Sequence, residues 1–193
     1  MCKSAWVVVL ALVPAAGGAG AGLVQQTPPV NPTGAAVLAF KQRLAKYVDV
    51  HEQADAQVPS LTETKDPAKI SQREVALGEA IRRLRAGAKP GDLFDDEIRP
   101  VLIRTIRADF ATRSAADRKA LAEELPANMK LVVNMTYPTT LPLPTVPARL
   151  LQELPDLPPE LEYRIVGRHL ILRDVTANIV ADFIRNVVPP IPS

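Results

Sequence analysis

A stretch near the C-terminus, LEYRIVGRHLILRD (161–174), constrains the fold more than any other part of the sequence. Two short, largely apolar runs flank Gly167-Arg168, and a two-residue loop with glycine first is typical of a type II′ turn. Such a loop pairs Val166 with His169 and continues residue by residue until Leu161 faces Asp174. The sequence therefore predicts an antiparallel β-hairpin with a defined register.

This register sorts the hairpin side chains into two faces, because paired residues share a face. The apolar face consists of Leu161, Tyr163, Ile165, Leu170 and Leu172. The opposite face carries Glu162 opposite Arg173, together with Arg164 and His169. A shift by one residue would mix the two sets. We therefore interpret His169 as a polar hairpin side chain beside the turn, with no carboxylate or second histidine near it in sequence.

The residues on either side of the hairpin predict a small sheet with a helix packed on it. Residues 129–137 alternate between apolar and polar and predict a third strand. The proline-rich residues 138–160 predict an extended connection. Helical spacing predicts a C-terminal helix within 175–189 whose apolar stripe covers the sheet: Ile179, Val180, Phe183, Ile184, Val187 and Val188. Residues 128–189 are thus expected to form the sheet and this helix.

Residues 35–125 predict about four helices. Apolar spacing marks the first at Val37, Phe40, Leu44, Tyr47, His51, Ala54 and Val58, and the third at Ile98, Leu102, Ile106 and Phe110. Asp66-Pro67 is a typical start for the second helix, and Ser114 caps a short fourth helix that ends before Pro126. We expect residues 35–193 to form one α+β domain.

The first residues have the pattern of an export signal. Lys3 precedes an apolar run at 5–16, and Ala19-Gly20-Ala21 offers the small residues that a signal peptidase recognises. The run is shorter than the roughly 20 residues that a membrane-spanning helix needs. We predict a signal peptide at 1–21, a flexible mature N-terminus at 22–34, and a periplasmic or secreted protein.

Composition excludes several functions. The only cysteine, Cys2, lies in the predicted signal peptide, so the mature chain has no thiol. Loss of Lys3 reduces 23 basic residues to 22 against 21 acidic ones, a net charge of +1. This balance argues against nucleic-acid binding, and no later apolar run is long enough to cross a membrane. No cofactor motif is present, and we predict no cofactor.

Three charged motifs have both a chemical and a structural interpretation. In HEQAD, His51 and Asp55 could supply two metal ligands, with His169 as a third; the structural alternative places His51 in the seam of its helix. The acidic residues 95–97 could bind a hard cation, but we interpret them as the start of a helix, where acids interact favourably with the dipole. Arg82, Arg83 and Arg85 could bind an anionic partner, but we interpret them as a solvated helix face.

The expected function follows mainly from what is missing. A three-stranded sheet has two edges, and an unpaired edge can pair with another strand. We expect the proline-rich connection to shield one edge and the other edge to bind a protein partner, with Arg164, Arg168, His169 and Arg173 as its surface. The sequence favours an exported, non-enzymatic interaction or accessory module of the bacterial envelope. The alternatives are a metal-assisted hydrolase using His51, Asp55 and His169, and a small-ligand carrier.

Overall fold

The computed structural model describes residues 31–61, 64–118 and 130–190. Its elements are α1 (Pro32–Asp55), α2 (Pro67–Leu84), α3 (Ile98–Thr112), α4 (Ala148–Glu153), β1 (Leu161–Val166), β2 (His169–Asp174) and β3 (Ile179–Ile184). The strands form one antiparallel sheet in the order β1-β2-β3. The chain is therefore an α+β protein, as predicted. The predicted signal peptide lies outside the described residues.

Polar side chains start the helices. The side chain of Asn31 accepts the N–H groups of Thr33 and Gly34 at 3.1 and 3.3 Å, so α1 begins at Pro32. Residues 32–34 therefore belong to the helix and not to the predicted flexible segment. The buried seam of α1 runs through Phe40, Leu44, Tyr47, His51 and Ala54, as its spacing predicted.

The two predicted capping residues, Asp66 and Ser114, have the expected contacts. Asp66 Oδ1 accepts the N–H of Ala68 at 3.0 Å and begins α2. Ser114 Oγ accepts the N–H of Asp117 at 3.0 Å, and residues 115–118 are helical. The remainder of the predicted fourth helix lies outside the described residues. Helix starts were predictable because a cap acts within three residues of its own position.

The hairpin register is confirmed. Val166 faces His169, and the pairing continues without a break to Leu161 facing Asp174. Gly167 has φ +59°, whereas Arg168 is not among the residues with positive φ. One positive φ at the first loop position is the geometry of a type II′ turn.

The predicted C-terminal helix is wrong, because residues 179–184 form β3 and pair with β2. All six residues of β3 are buried. A strand that is covered on both faces has no polar alternation, so its apolar run cannot be told from a helix by period alone. The loop between β2 and β3 contained the sequence signal for a second hairpin. Asn178 adopts φ +50°, and Asp174 Oδ1 accepts the N–H of Ala177 at 2.8 Å.

The predicted strand at 129–137 is not a regular strand in its described part, residues 130–137. Asn134 adopts φ +64°, which interrupts the extended backbone. The segment still pairs briefly with β3: the Asn134 N–H donates to Val180 O at 2.8 Å, and the Val180 N–H donates to Met135 O at 2.9 Å. It therefore covers the outer edge of β3.

Both faces of the sheet are covered. The apolar hairpin face packs against α1, α3 and α4, and Phe94 stacks between Phe40 and Tyr163 with ring centroids at 5.7 and 6.4 Å. The opposite face packs against apolar side chains from residues 131–143. On the apolar face, α1, α3 and α4 thus take the place of the predicted C-terminal helix. On the opposite face, the cover leaves the polar side chains of the hairpin only partly exposed.

Candidate functional site

The outer edge of β1 is the part of the sheet that lacks a backbone partner. A two-residue loop is closed by a hydrogen-bonded pair, and bonded and non-bonded pairs alternate along the strands. The backbones of Glu162 and Arg164 therefore point toward β2, and those of Tyr163 and Ile165 point outward. Within the described ranges, the outward N–H and C=O groups of Tyr163 and Ile165 make no hydrogen bond.

The outer edge of β3, in contrast, is occupied by other parts of the chain. Residues 134 and 135 bond to Val180, and the guanidinium of Arg85 donates to Ala181 O at 3.1 Å. Arg82 Nε donates to Asn134 O at 2.9 Å and holds the covering segment in place. Arg82 and Arg85 were interpreted as part of a solvated helix face, and this is wrong for both, because both bind the backbone around β3. Among the described residues, the edge of β1 is therefore the one left open to an additional strand.

A cavity of about 370 Å³ lies along the β1 edge. Its lining includes four successive residues of the strand, Leu161, Glu162, Tyr163 and Arg164. Successive side chains of a strand point to opposite faces, so a cavity that touches all four must wrap around the edge. The facing wall consists of Thr145, Val146, Leu151, Pro155, Asp156 and Leu157. We call this cavity, with both sets of lining residues, the β1 groove.

The wall of the β1 groove is held in position by contacts with the rest of the fold. The hydroxyl of Tyr163 donates to Pro155 O at 3.1 Å. Lys41 of α1 forms an ion pair with Asp156 at 3.3 Å. Proline locks its own φ and restricts the residue before it, so a proline-rich wall loses little entropy when a ligand binds. The groove is therefore largely preformed.

A cluster of three charges lies at the groove. Glu162 bonds to Arg164 at 2.5 Å and to Arg173 at 2.6 Å, and the three side chains are 13–20% exposed. Burial by itself would raise the pKa of Glu162, but hydrogen bonds from the two guanidinium groups outweigh it and hold that pKa below its ordinary value. Two cations and one carboxylate leave a net charge of +1 beside the strand edge.

The four residues of the predicted partner surface make their contacts in two places. Arg164 lines the β1 groove, whereas Arg173 is on the central strand, bound to Glu162 and Asn178. Arg168 and His169 lie at the hairpin turn and bind the segment after β3. Arg168 Nε donates to Val188 O at 2.9 Å, and His169 Nδ1 accepts the Asn186 N–H at 3.1 Å. Burial, with Arg185 and Arg168 nearby, lowers the pKa of His169.

His51 belongs to a buried polar cluster that sequence reasoning missed. Its Nδ1 lies 2.7 Å from Asp174 Oδ2, and the hydroxyl of Tyr47 donates to the same oxygen at 2.9 Å. Asp174 is wholly buried. The hydrogen bond to Asp174 raises the pKa of His51 although burial opposes this, and burial together with the charge of Asp174 raises the pKa of Tyr47. The two partners are 123 residues apart, so no local pattern could reveal them.

The three residues of the metal-assisted hydrolase alternative do not meet. Asp55 forms an ion pair with Arg73 at 2.5 Å. His51 binds the last residue of β2, whereas His169 is the first, a separation of roughly 17 Å along the strand. In the part of the chain that the structure describes, no group of three or more His, Cys, Asp or Glu side chains is arranged to hold a metal ion.

A second missed residue, Asp182, has a structural role. Its buried carboxylate accepts the N–H groups of Gly91, Leu93 and Phe94 at 2.8–3.2 Å and that of Phe183 at 2.8 Å. Asp182 lies within the segment for which a C-terminal helix was predicted. In β3 it instead fixes the turn before α3, which positions Phe94 in the core.

Comparison with known proteins adds no family to this description. No family model matches the chain, and no curated protein or solved structure shows significant similarity to it. Over the described ranges, none of the helices combines the length and apolar character needed to cross a bilayer. The β1 groove is therefore the feature of the molecule from which a function can be inferred.

Proposed function

We propose that this protein is a non-enzymatic binding module that holds an extended segment of another protein as a fourth strand beside β1. The observation that carries the proposal is the outward backbone of Tyr163 in the β1 groove, continued along the same strand edge by the outward backbone of Ile165. In this mode of recognition, main-chain hydrogen bonds provide affinity, and pockets for alternate side chains provide specificity.

The shape of the β1 groove supports a single strand as its occupant. The six residues Leu161–Val166 offer an edge about 20 Å long. Long unpaired edges promote aggregation unless they are covered or interrupted. The proline-rich wall beside β1 restricts access by a large flat sheet while leaving room for one extended chain. The sequence had led us to expect that this connection would shield an edge, and here it forms one side of a site.

Export to the bacterial envelope remains part of the proposal. It is supported by the N-terminal sequence, with Lys3, the apolar run at 5–16 and the small residues at 19–21. The wide separation of His51 and His169 removes the support for the hydrolase alternative. A small-ligand carrier is the second candidate, because a cavity of about 370 Å³ is within the usual range for small-molecule sites.

The proposal can be tested with a display library of random heptapeptides selected on the immobilised full chain. We expect enrichment of sequences with apolar residues at alternate positions. When an enriched peptide is added, the amides of Tyr163 and Ile165 should gain protection from hydrogen exchange, because the new strand bonds to them. A small apolar ligand would fill the cavity without protecting these amides selectively.

A pair of matched variants assigns binding to the β1 groove. Leu151 lines the groove and is 45% exposed, whereas Leu38 lies on α1 away from it and is 61% exposed. We expect Leu151→Glu to abolish binding of the enriched peptides and Leu38→Glu to leave it unchanged. The proposal is wrong if no peptide is enriched, or if binding persists in Leu151→Glu without protection of the β1 amides.

A further inference from the structure

Resting on the proposed function, we infer that the β1 groove selects segments carrying an acidic side chain opposite Arg164, which makes Arg164 its specificity-determining residue.

The register defines which partner residue meets Arg164. A strand added antiparallel to β1 would bond to the outward backbones of Tyr163 and Ile165. The residue between these two contacts then faces Arg164 at a non-hydrogen-bonded position, where the Cα atoms are about 4.5 Å apart. Its side chain shares the face of Arg164. The neighbouring side chains of the partner point into the apolar part of the groove, toward Val146 and Leu157.

The charge at this position favours a carboxylate. Glu162, Arg164 and Arg173 sum to +1, and Glu162 is already shared by both guanidinium groups. The other acidic residue that lines the groove, Asp156, is paired with Lys41. A lysine opposite Arg164 would add a third cation to the cluster, whereas a glutamate would make it neutral. Like charges directly opposite each other across two strands are destabilising.

Arg164 retains donors for a ligand. A guanidinium carries five N–H donors, and the described contacts of Arg164 use only Nη2, which donates to Glu162. Its Nε is buried, but its Nη1 makes none of the described hydrogen bonds and is not one of the buried atoms without a partner, so Nη1 stays accessible. An arriving carboxylate can accept from Nη1 and from the second N–H of Nη2, one of the two-pronged geometries that guanidinium groups favour.

Arg173 cannot have the same role, although it belongs to the same cluster. It lies on the central strand β2, with β1 on one side and β3 on the other, and it binds Asn178 as well as Glu162. Arg173 does not line the cavity, whereas Arg164 does. A strand added at the edge therefore meets Arg164 first, and Arg173 acts by holding Glu162.

Three synthetic heptapeptides test the inference: Val-Ser-Val-Glu-Val-Ser-Val and the versions with glutamine or lysine in the centre. Dissociation constants are measured with the full chain. We expect the glutamate peptide to bind roughly tenfold more tightly than the glutamine peptide, as for one hydrogen bond to a charged group. The lysine peptide should bind most weakly. The preference should decrease at high salt, because the pair is partly exposed.

Two variants complete the test. Arg164→Gln should abolish the difference between the glutamate and glutamine peptides. Arg149→Gln, at a 71% exposed arginine of α4 that does not line the groove, should preserve this difference.

Equal binding of all three peptides, with protection of the Tyr163 and Ile165 amides, would overturn the acidic preference and leave the proposed strand-binding function intact. If none of the peptides binds and the display library yields none, the binding function itself fails. Should Arg164→Gln not fold, the peptide series on the unmodified chain decides alone.

Discussion

Asp174 Oδ2 lies 2.7 Å from Nδ1 of His51, and this contact joins the last residue of β2 to the C-terminal part of α1. Asp174 is also the register partner of Leu161, where β1 and the β1 groove begin. A buried carboxylate must be paired and hydrogen-bonded to be tolerated, and Tyr47, His51 and the N–H of Ala177 together meet that need. The cluster therefore anchors one end of the groove floor to the helical layer.

His51 should make stability fall as the pH rises. Its pKa is raised above the ordinary 6.5 by Asp174, so the folded protein holds the proton more tightly than the unfolded chain. The stabilisation is therefore fully present below pH 6.5 and is lost as the pH passes through the higher folded pKa. We expect His51→Gln to lower the free energy of unfolding by about 2 kcal/mol at low pH and to remove this decline. Urea denaturation across the pH range measures it.

His169 provides the matched control, because its pKa is lowered by burial and by two nearby arginines. The unfolded chain then binds the proton more tightly, so the contribution of His169 to stability increases as the pH rises from its lowered folded pKa to 6.5 and is constant above that. His169→Gln should therefore remove this increase below pH 6.5 and leave the decline due to His51 above pH 6.5 unchanged. A decline that survives in His51→Gln would show that another group causes it.

Asp182 should be one of the least replaceable residues of the fold. Asp182→Ala leaves the N–H groups of Gly91, Leu93 and Phe94 buried without their acceptor. We expect a loss of about 3 kcal/mol or more, since each buried unsatisfied donor costs roughly 1–3 kcal/mol. Asp96→Asn, at a side chain that is 97% exposed, should change stability by less than about 0.5 kcal/mol. Equal effects of the two variants in chemical denaturation would contradict the role given to Asp182.

The hairpin turn should require glycine at its first position. Gly167 has φ +59°, and a β-branched residue there is strained, so Gly167→Val should cost about 1 kcal/mol or more. Gly87 lacks a positive φ, and an added Cβ would meet nothing within 4 Å. Gly87→Val should therefore have a much smaller effect in thermal unfolding. A Gly167→Val variant as stable as the parent would mean that the loop is not the type II′ turn.

Hydrogen exchange should alternate along β1 in the protein without ligand. The amides of Glu162 and Arg164 bond to β2, whereas those of Tyr163 and Ile165 point outward along the free edge of β1. We expect slow exchange at the first pair and faster exchange at the second, since protection follows hydrogen bonding. Residue-resolved NMR measures this. Uniform protection along the strand would indicate that the outer edge is already covered.

Features defined by neighbouring residues could be predicted well. The hairpin register follows from a two-residue loop and the alternation beside it, and the caps at Asp66 and Ser114 act within three residues. Residues 179–184 were misassigned because a strand buried on both faces has no alternation, and the apolar residues fit a helical stripe equally well. The turn residues Asp174 and Asn178 indicated a hairpin correctly, but two turn residues are a weaker pattern than a stripe of six apolar positions.

The same distinction between local and long-range features applies to the candidate site. The sequence alone determined that a hairpin strand with alternating Glu162, Tyr163 and Arg164 would exist, because these residues are consecutive and their faces follow from the period of a strand. Only the tertiary structure decided that β1 is the open edge, that residues 145–157 form a wall beside it, and that Asp174 meets His51. Such contacts join segments tens of residues apart. Their formation depends on how the layers pack together, and side-chain periodicity does not record that arrangement.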